Sequence, residues 1–307
     1  MTQVLVLGGG PDSEREVSLN SAREIARALR RNPALVVVEQ TIGRITLDEL
    51  KDLPGDVVFP ALHGAFGEGG PLQDLLEADG RPYVGCGPTA ARLAMDKLAT
   101  KLVASRLGIN TPHACVLNPG DTRCPMRLPV VVKPIHEGSS VGLHVCLDQR
   151  DWAEAHRAVM ADRTRNPHRS YMVERLIAGR ELTVGLLDRS ALPIIHIAPR
   201  DGIYDYEAKY TRDDTRYILE PELPPGADTA LAEHSVRLAD AIGVRHLARV
   251  DFMLDGSDMP WLIELNTMPG FTTHSLVPMA ARRHGFEMDR LCSWLIELAV
   301  RDKRVAA

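Results

Sequence analysis

Several features that would sort a chain quickly are scarce or missing here. The 307 residues hold five cysteines, Cys86, Cys115, Cys124, Cys146 and Cys292, odd in number and scattered, with no Cys-x-x-Cys pair. That pattern excludes a disulfide framework or a zinc ribbon and points to free thiols in a reducing cytoplasm. No apolar run approaches the ~18–20 residues of a spanning helix. The opening MTQVLVLGGG has no basic segment before its short apolar run, so it reads as a first strand rather than a signal peptide. A net charge of -5 without any polybasic run leaves no electrostatic case for nucleic acid or a membrane surface. Lysine is sparse, six among 36 basic residues. Where arginine is the default cation, a lysine inside a motif marks a place that wants a compact point charge. The remaining composition, 45% hydrophobic and 25% charged, is that of a globular protein long enough for two or three domains.

Late in the chain, LARVDFMLD and WLIELN alternate apolar with polar residues, and DGSDMP between them has turn chemistry, which predicts a hairpin. With Asp255 opposite Pro260, Asp251 falls opposite Glu264 and Arg249 opposite Asn266, all four on one face. Hard cations such as Mg²⁺ take oxygen ligands, commonly one or two carboxylates completed by substrate phosphates. Asp251, Glu264 and Asn266 supply such oxygens, and Arg249 can reach a phosphate or a developing oxyanion. Taken alone, the same residues also describe a solvated sheet face with a salt bridge.

Residues 1–92 read as an α/β unit in which VLVL, ALVVV and DVVFPAL are strands and Ser18 caps a first helix. The glycines at 8 to 10 invite a dinucleotide-binding reading, but G-x-G-x-x-G fails at Ser13, and no acidic residue completes the fingerprint. Residues 93–109 predict one amphipathic helix closed by Gly108, followed by Thr111-Pro112. LPVVVKP is a strand ending at Lys133, and HEGSSVG after it is a glycine- and serine-rich loop able to fold backbone N–H groups over phosphates. It is not a Walker A loop. The polar, tyrosine-rich stretch 200–217 is long for a loop inside a compact domain, as functional lids are.

Taken together, GGGPDSEREVSLNS, ALHGAFGEGGPLQ, AMDKLATK, VVKPIHEGSSVG, YDYEAKY, ARVDFMLD, IELNTMPG and THSLVPMAA resemble, in order, the motifs of D-alanine–D-alanine ligases of the ATP-grasp superfamily. The resemblance implies an α/β, three-domain architecture. An N-terminal Rossmann-like domain (1–92) precedes a central ATP-grasp subdomain (93–180) and a C-terminal one (181–307), with the nucleotide between the last two. It implies ATP and two Mg²⁺ (or Mn²⁺), the metals on Asp251, Glu264 and Asn266. Lys97, Lys133 and Lys209 would meet the phosphates. Glu174 to Ile177 would lie against adenine, through backbone groups of Arg175 and Ile177, and Glu181 would accept from the ribose hydroxyls. By residue type alone, Glu174 and Glu181 are ordinary exposed charges.

For the substrates, the resemblance implies that Glu14 binds the ammonium of the first D-alanine, although by composition Glu14 reads only as a dipole complement at a helix start. Ser139 and Tyr210 would join Glu14 in a hydrogen-bonded network that fastens the lid. His63 would deprotonate or orient a D-alanine. Ser275 and the backbone of Leu276 would hold the second carboxylate, while the Gly270 N–H and Arg249 stabilise the tetrahedral oxyanion. Met268 and Phe271 stand where the family usually has Ser and Met. The implied product is D-alanyl-D-alanine for peptidoglycan precursor synthesis. D-alanyl-D-lactate, D-alanyl-D-serine and other carboxylate–amine ligations are the alternatives, and Tyr210 favours an amine acceptor. A homodimer is implied as well.

Overall fold

A computed structural model describes residues 1–199, 215–272 and 274–306. Among the described residues the strands form three sheets. The first is parallel, in the order β2 (Leu35–Ile42), β1 (Thr2–Gly9), β3 (Val57–Pro60). Val4 to Leu7 of the central strand are fully buried, as expected where both faces of a parallel sheet are covered. Helix α1 (Arg15–Leu29) packs on this sheet and against the last helix, Met288–Ala306, and the short helices α2 (Leu47–Lys51), α3 (Gly64–Gly67) and α4 (Pro71–Asp79) complete this part of the chain. Ser18 does not cap α1. It lies inside the helix, where its hydroxyl donates to Ala61 O at 2.6 Å and accepts from Gly9 N at 2.8 Å, stitching the ends of β1 and β3 together. Glu14 holds the N-cap position without a side-chain cap hydrogen bond.

The second sheet is antiparallel, β4 (Ala114–Leu117), β7 (Tyr171–Arg175), β5 (Val130–Pro134), β6 (His144–Cys146). Helix α7 (Gln149–Arg165), capped by Asp148, covers one face with Trp152, Ala155 and Val159. Val130, Val132 and Val173 point into that core, so Val131, Lys133 and Glu174 face the other way.

The third sheet has β8 (Gly179–Leu187), β12 (Leu247–Asp255) and β13 (Pro260–Asn266) at one side. The strands β10 (Ile195–Ala198) and β11 (Arg216–Leu219) continue it beyond β8, and the two-residue β9 (Ser190–Ala191) pairs with β8. Leu182, Val184, Val250, Phe252 and Leu254 pack against the helix Ala227–Ile242. The expected single helix over 93–109 is two. Helix α5 (Pro88–Met95) ends before Asp96, whose extended backbone and carboxylate, accepting from Leu98 N and Ala99 N, cap a new helix α6 (Lys97–Arg106). Ala90, Ala91, Ala94 and Ala104 of these helices join the core of the third sheet. Among the described residues, no helix is long and apolar enough to cross a membrane.

Candidate active site

The open face of the second sheet and the polar face of the third enclose a cleft of about 450 Å³. Lys97, Lys133, Glu174, Arg175, Ile177, Glu181, Asp251 and Glu264 all line it. Strand alternation accounts for the convergence. Across β8 and β12, Thr183 pairs with Asp251 and Glu181 with Met253, while the intervening residues face the core.

On β12 and β13, Asp251 lies opposite Glu264 and Arg249 opposite Asn266, the expected register. The hairpin closes differently, however. Leu254, not Asp255, pairs with Pro260, and a bulge at Ile263 restores the register beyond it. The extra residue lets the consecutive Ile263 and Glu264 both face the cleft while Leu262 and Leu265 stay in the core. The turn explains the shift: the Asp255 carboxylate accepts from Ser257 N, Met259 N and Trp261 Nε1 at 2.8–3.0 Å, fixing a longer loop.

Asp251 is buried and receives Thr183 Oγ1 at 2.6 Å and a forked guanidinium from Arg249, Nη2 at 2.8 Å and Nε at 3.0 Å. Glu264 lies 3.3 Å from Lys97 Nζ, which also donates to Glu137 O at 2.6 Å. Asn266 lines an adjoining narrow recess with Glu264, and its Oδ1 accepts from Met268 N. Among the described residues no group of three His, Cys, Asp or Glu converges as a ready-made metal site. Asp251 lines the cleft, Asn266 the recess and Glu264 both, and two carboxylates with an amide oxygen are the kind of donor set a hard divalent cation takes when substrate oxygens complete its shell.

Glu174 corrects the expectation of an exposed charge. It is 3% exposed, pairs with Lys133, and lies 2.9 Å from Lys101 Nζ. Burial pushes its carboxyl up, but Lys133 and Lys101 outweigh that and hold it below the usual range, so it stays ionised. Ile177 is buried in the cleft wall, and the Arg175 guanidinium lies over the Trp261 ring. The Arg175 N–H is already taken by His113 O, at 2.9 Å.

At the far end of the cleft the loop after β5 reaches the N-terminal unit. Ser139 donates to the buried Glu14, and a Cβ on Gly138 would stand 2.8 Å from the Glu14 carboxylate, so a larger residue there would require that carboxylate to shift. His63 is buried, with Nδ1 3.0 Å from Met268 O and Nε2 3.4 Å from Ser21 Oγ. Burial pulls its pKa down to about 4, with the nearby Arg249 adding to the fall, so at neutral pH the ring is uncharged. Donation to Met268 O then puts the proton on Nδ1. Ser21 Oγ in turn accepts from Phe271 N at 3.1 Å, tying His63 to the segment carrying Gly270. A Cβ on Gly270 would lie 2.9 Å from Ser275 Oγ. Ser275 is the N-cap of the helix Leu276–Arg283, and its hydroxyl accepts from Thr272 N. The Leu276 side chain is in the core, so only its backbone can meet a ligand. Lys209 and Tyr210 lie outside the described residues.

Comparison with known proteins decides the family. The family model described as D-ala D-ala ligase C-terminus matches residues 119–297. D-alanine–D-alanine ligases from Bordetella petrii and Syntrophotalea carbinolica are each 41% identical, over 97% and 94% of this chain and 92% and 93% of theirs. The chain belongs to the D-alanine–D-alanine ligase family. Two structures of the Bacillus anthracis ligase cover 100% of both chains. One matches with TM-score 0.86 at 30% identity, and the other, complexed with ATP, with 0.83 at 26%. The fold is therefore the mixed α/β ATP-grasp fold of this ligase family.

Four site residues of this ligase-family member escape sequence reasoning. Glu68 is buried, and burial, reinforced by the nearby Glu14 charge, pushes its pKa up to about 8. Thr183 orients Asp251, Lys101 holds Glu174, and Thr111 bridges Lys101 to Leu262 O. A polar residue alternating into the open face of β8 is a signal for Thr183. The other three depend on contacts between distant segments.

Proposed function

We propose that the chain joins two D-alanines to D-alanyl-D-alanine for peptidoglycan precursor synthesis, converting ATP to ADP and phosphate. The ammonium of the first D-alanine rests on Glu14, held in place by Ser139. An oxygen of its carboxylate attacks the γ-phosphorus as the bond to the ADP oxygen breaks, leaving an acyl phosphate. The amine of the second D-alanine attacks the acyl carbon, loses a proton, and the carbon–oxygen bond to phosphate breaks.

An anion approaching a polyanion needs dense positive charge, which Lys97 and Lys133 bring to the cleft and Arg249 adds beside Asp251. Lys209 and Tyr210, outside the described residues, would add positive charge and help keep water from the acyl phosphate. Asp251, Glu264 and Asn266 would hold two Mg²⁺ or Mn²⁺, which supply charge neutralisation on the transferring phosphoryl group. Arg249 and the Gly270 N–H meet the oxyanion. Ser275 with the Leu276 N–H holds the second carboxylate at a helix start. His63 would orient or deprotonate a D-alanine through Nε2 in exchange for its contact with Ser21 Oγ. Adenine lies along residues 174–177 by way of Arg175 and Ile177 backbone groups, and the ribose on Glu181. Thus 93–180 and 181–307 grip the nucleotide, while 1–92 contributes to the amino-acid end. The reading carries a cytoplasmic homodimer with it, and five free cysteines accord with a reducing compartment.

The observation that carries this reading is the facing of Asp251 and Glu264 into the same cleft as Lys97 and Lys133. Incubation with ATP, Mg²⁺ and D-alanine tests it. Mass spectrometry should find D-alanyl-D-alanine, and D-lactate or D-serine in competition should give minor products. Nucleotide turnover indifferent to D-alanine would refute the reading, and preferential D-lactate or D-serine product would move it to the corresponding ligase.

A further inference from the structure

Lys133 and Lys101 bracket one buried carboxylate, but their positions are not equivalent. Lys101, Lys133 and Glu174 are 5%, 5% and 3% exposed. Lys133 lines the cleft, whereas Lys101 stands behind Glu174 and is absent from the cleft wall. Lys101 Nζ lies 2.9 Å from Glu174 Oε2 and donates to Thr111 Oγ1 at 2.8 Å, and Thr111 Oγ1 donates to Leu262 O at 3.0 Å, next to the bulge that presents Glu264. Lys97 and Lys101 sit one turn apart on α6, so one helix addresses both Glu264 and Glu174.

We infer that Lys101 is a positioning residue for nucleotide phosphates: by holding Glu174 it frees Lys133 to turn to the polyphosphate. The inference rests on the reading of this cleft as the ATP site. A buried carboxylate stripped of its cation is strongly penalised. With Lys133 as its sole counter-ion, Glu174 would compete with the phosphates for that ammonium. With Lys101 in place, the pair Lys101–Glu174 remains neutral when Lys133 leaves, and the triad's net single positive charge is available to the ligand. Burial pulls the Lys101 pKa down and the neighbouring Lys133 adds to the fall, while Glu174 and Glu264 oppose it.

The test is a double-mutant cycle on the whole enzyme, with Lys101→Met, Glu174→Gln and the double variant, titrated by calorimetry with MgATP and with adenosine. Lys101→Met is expected to lose about tenfold or more in ATP affinity, the size of a charge-assisted contact, with adenosine affinity unchanged. In the Glu174→Gln background, Lys101→Met should change ATP affinity little, since the effect passes through that carboxylate. If the single variant does not fold, the double variant set against Glu174→Gln decides the matter, because the double variant leaves no carboxylate without a cation and keeps the triad's net single positive charge on Lys133. Equal ATP affinity in wild type and Lys101→Met overturns the inference. So does a parallel loss of ATP and adenosine, or an undiminished loss in the Glu174→Gln background. A wild-type protein that binds neither ligand would instead overturn the nucleotide reading itself.

Discussion

Lys97 Nζ lies 3.3 Å from Glu264 Oε2, joining the first turn of α6 to the acidic edge of the third sheet. The pair neutralises a carboxylate that would otherwise face the Asp251 carboxylate across the hairpin. Glu264→Gln keeps the shape and removes the charge. D-Alanine-dependent ADP release in this variant should fall on the order of 10²–10³-fold, the usual effect of deleting one electrostatic element, and the Mg²⁺ concentration for half-maximal rate should rise. A coupled ADP assay across a Mg²⁺ titration checks both. Chelation should stop the wild-type reaction, and either Mg²⁺ or Mn²⁺ should restore it.

Arg249 grips Asp251 through two nitrogens, a fork that lysine cannot reproduce. Arg249→Lys should therefore lower kcat on the order of 10²-fold while leaving the KM for ATP nearly unchanged, because the role assigned to Arg249 is at the oxyanion. Steady-state kinetics with each substrate varied in turn separates the two. A raised KM for ATP with normal kcat would move Arg249 to the nucleotide.

Two buried histidines give the fold an acid limit. His63 and His246 have pKa values pulled down to about 4, mainly by burial. Gly85 N donates to His246 Nδ1 at 3.0 Å, so its proton is on Nε2, facing Asp302. Each ring stays neutral in the native chain while the unfolded chain takes up a proton below the ordinary value of about 6.5. Stability is thus full above pH 6.5 and falls as pH drops toward 4, by up to about 1.4 kcal/mol per pH unit for each ring. Glu68, raised to about 8, works in the opposite sense, costing stability as pH climbs through its window. Urea unfolding of wild type and His246→Gln between pH 4 and 7 should give curves that converge as pH falls. Parallel curves would show that His246 does not titrate this way.

The Ser18 hydroxyl is fully buried and bonds two backbone groups from different strand ends. Ser18→Ala strands the Gly9 N–H and removes a donor from Ala61 O. A loss of about 1–3 kcal/mol in unfolding free energy is expected, measured by chemical denaturation.

How much of this was legible in the sequence depends on how local the determinant is. The pairing of Asp251 with Glu264 could be read from strand alternation, since it follows from a short segment's period, whereas the cleft lysines came only from the family resemblance. The bulge at Ile263 could not, because it depends on how Asp255 satisfies the turn. Asp96 split a helix whose apolar period runs straight through it: an N-cap bond decided against periodicity. Ser18 carries the residue type of a cap but is needed by Gly9 and Ala61, groups brought to it only by the sheet. Glu174 has the look of a surface charge and is buried because two lysines, each on a different element from its own, neutralise it. The packing of α5 and α6 against the third sheet was likewise invisible, since small alanines fit more than one partner.

Oxygen transfer tests the central claim most directly. D-Alanine labelled with ¹⁸O in its carboxylate, turned over with ATP and Mg²⁺, should deliver one labelled oxygen into the released phosphate, read by the isotope shift in ³¹P NMR. Phosphate without label, alongside formation of dipeptide, would contradict attack of a carboxylate on the γ-phosphorus in this cleft.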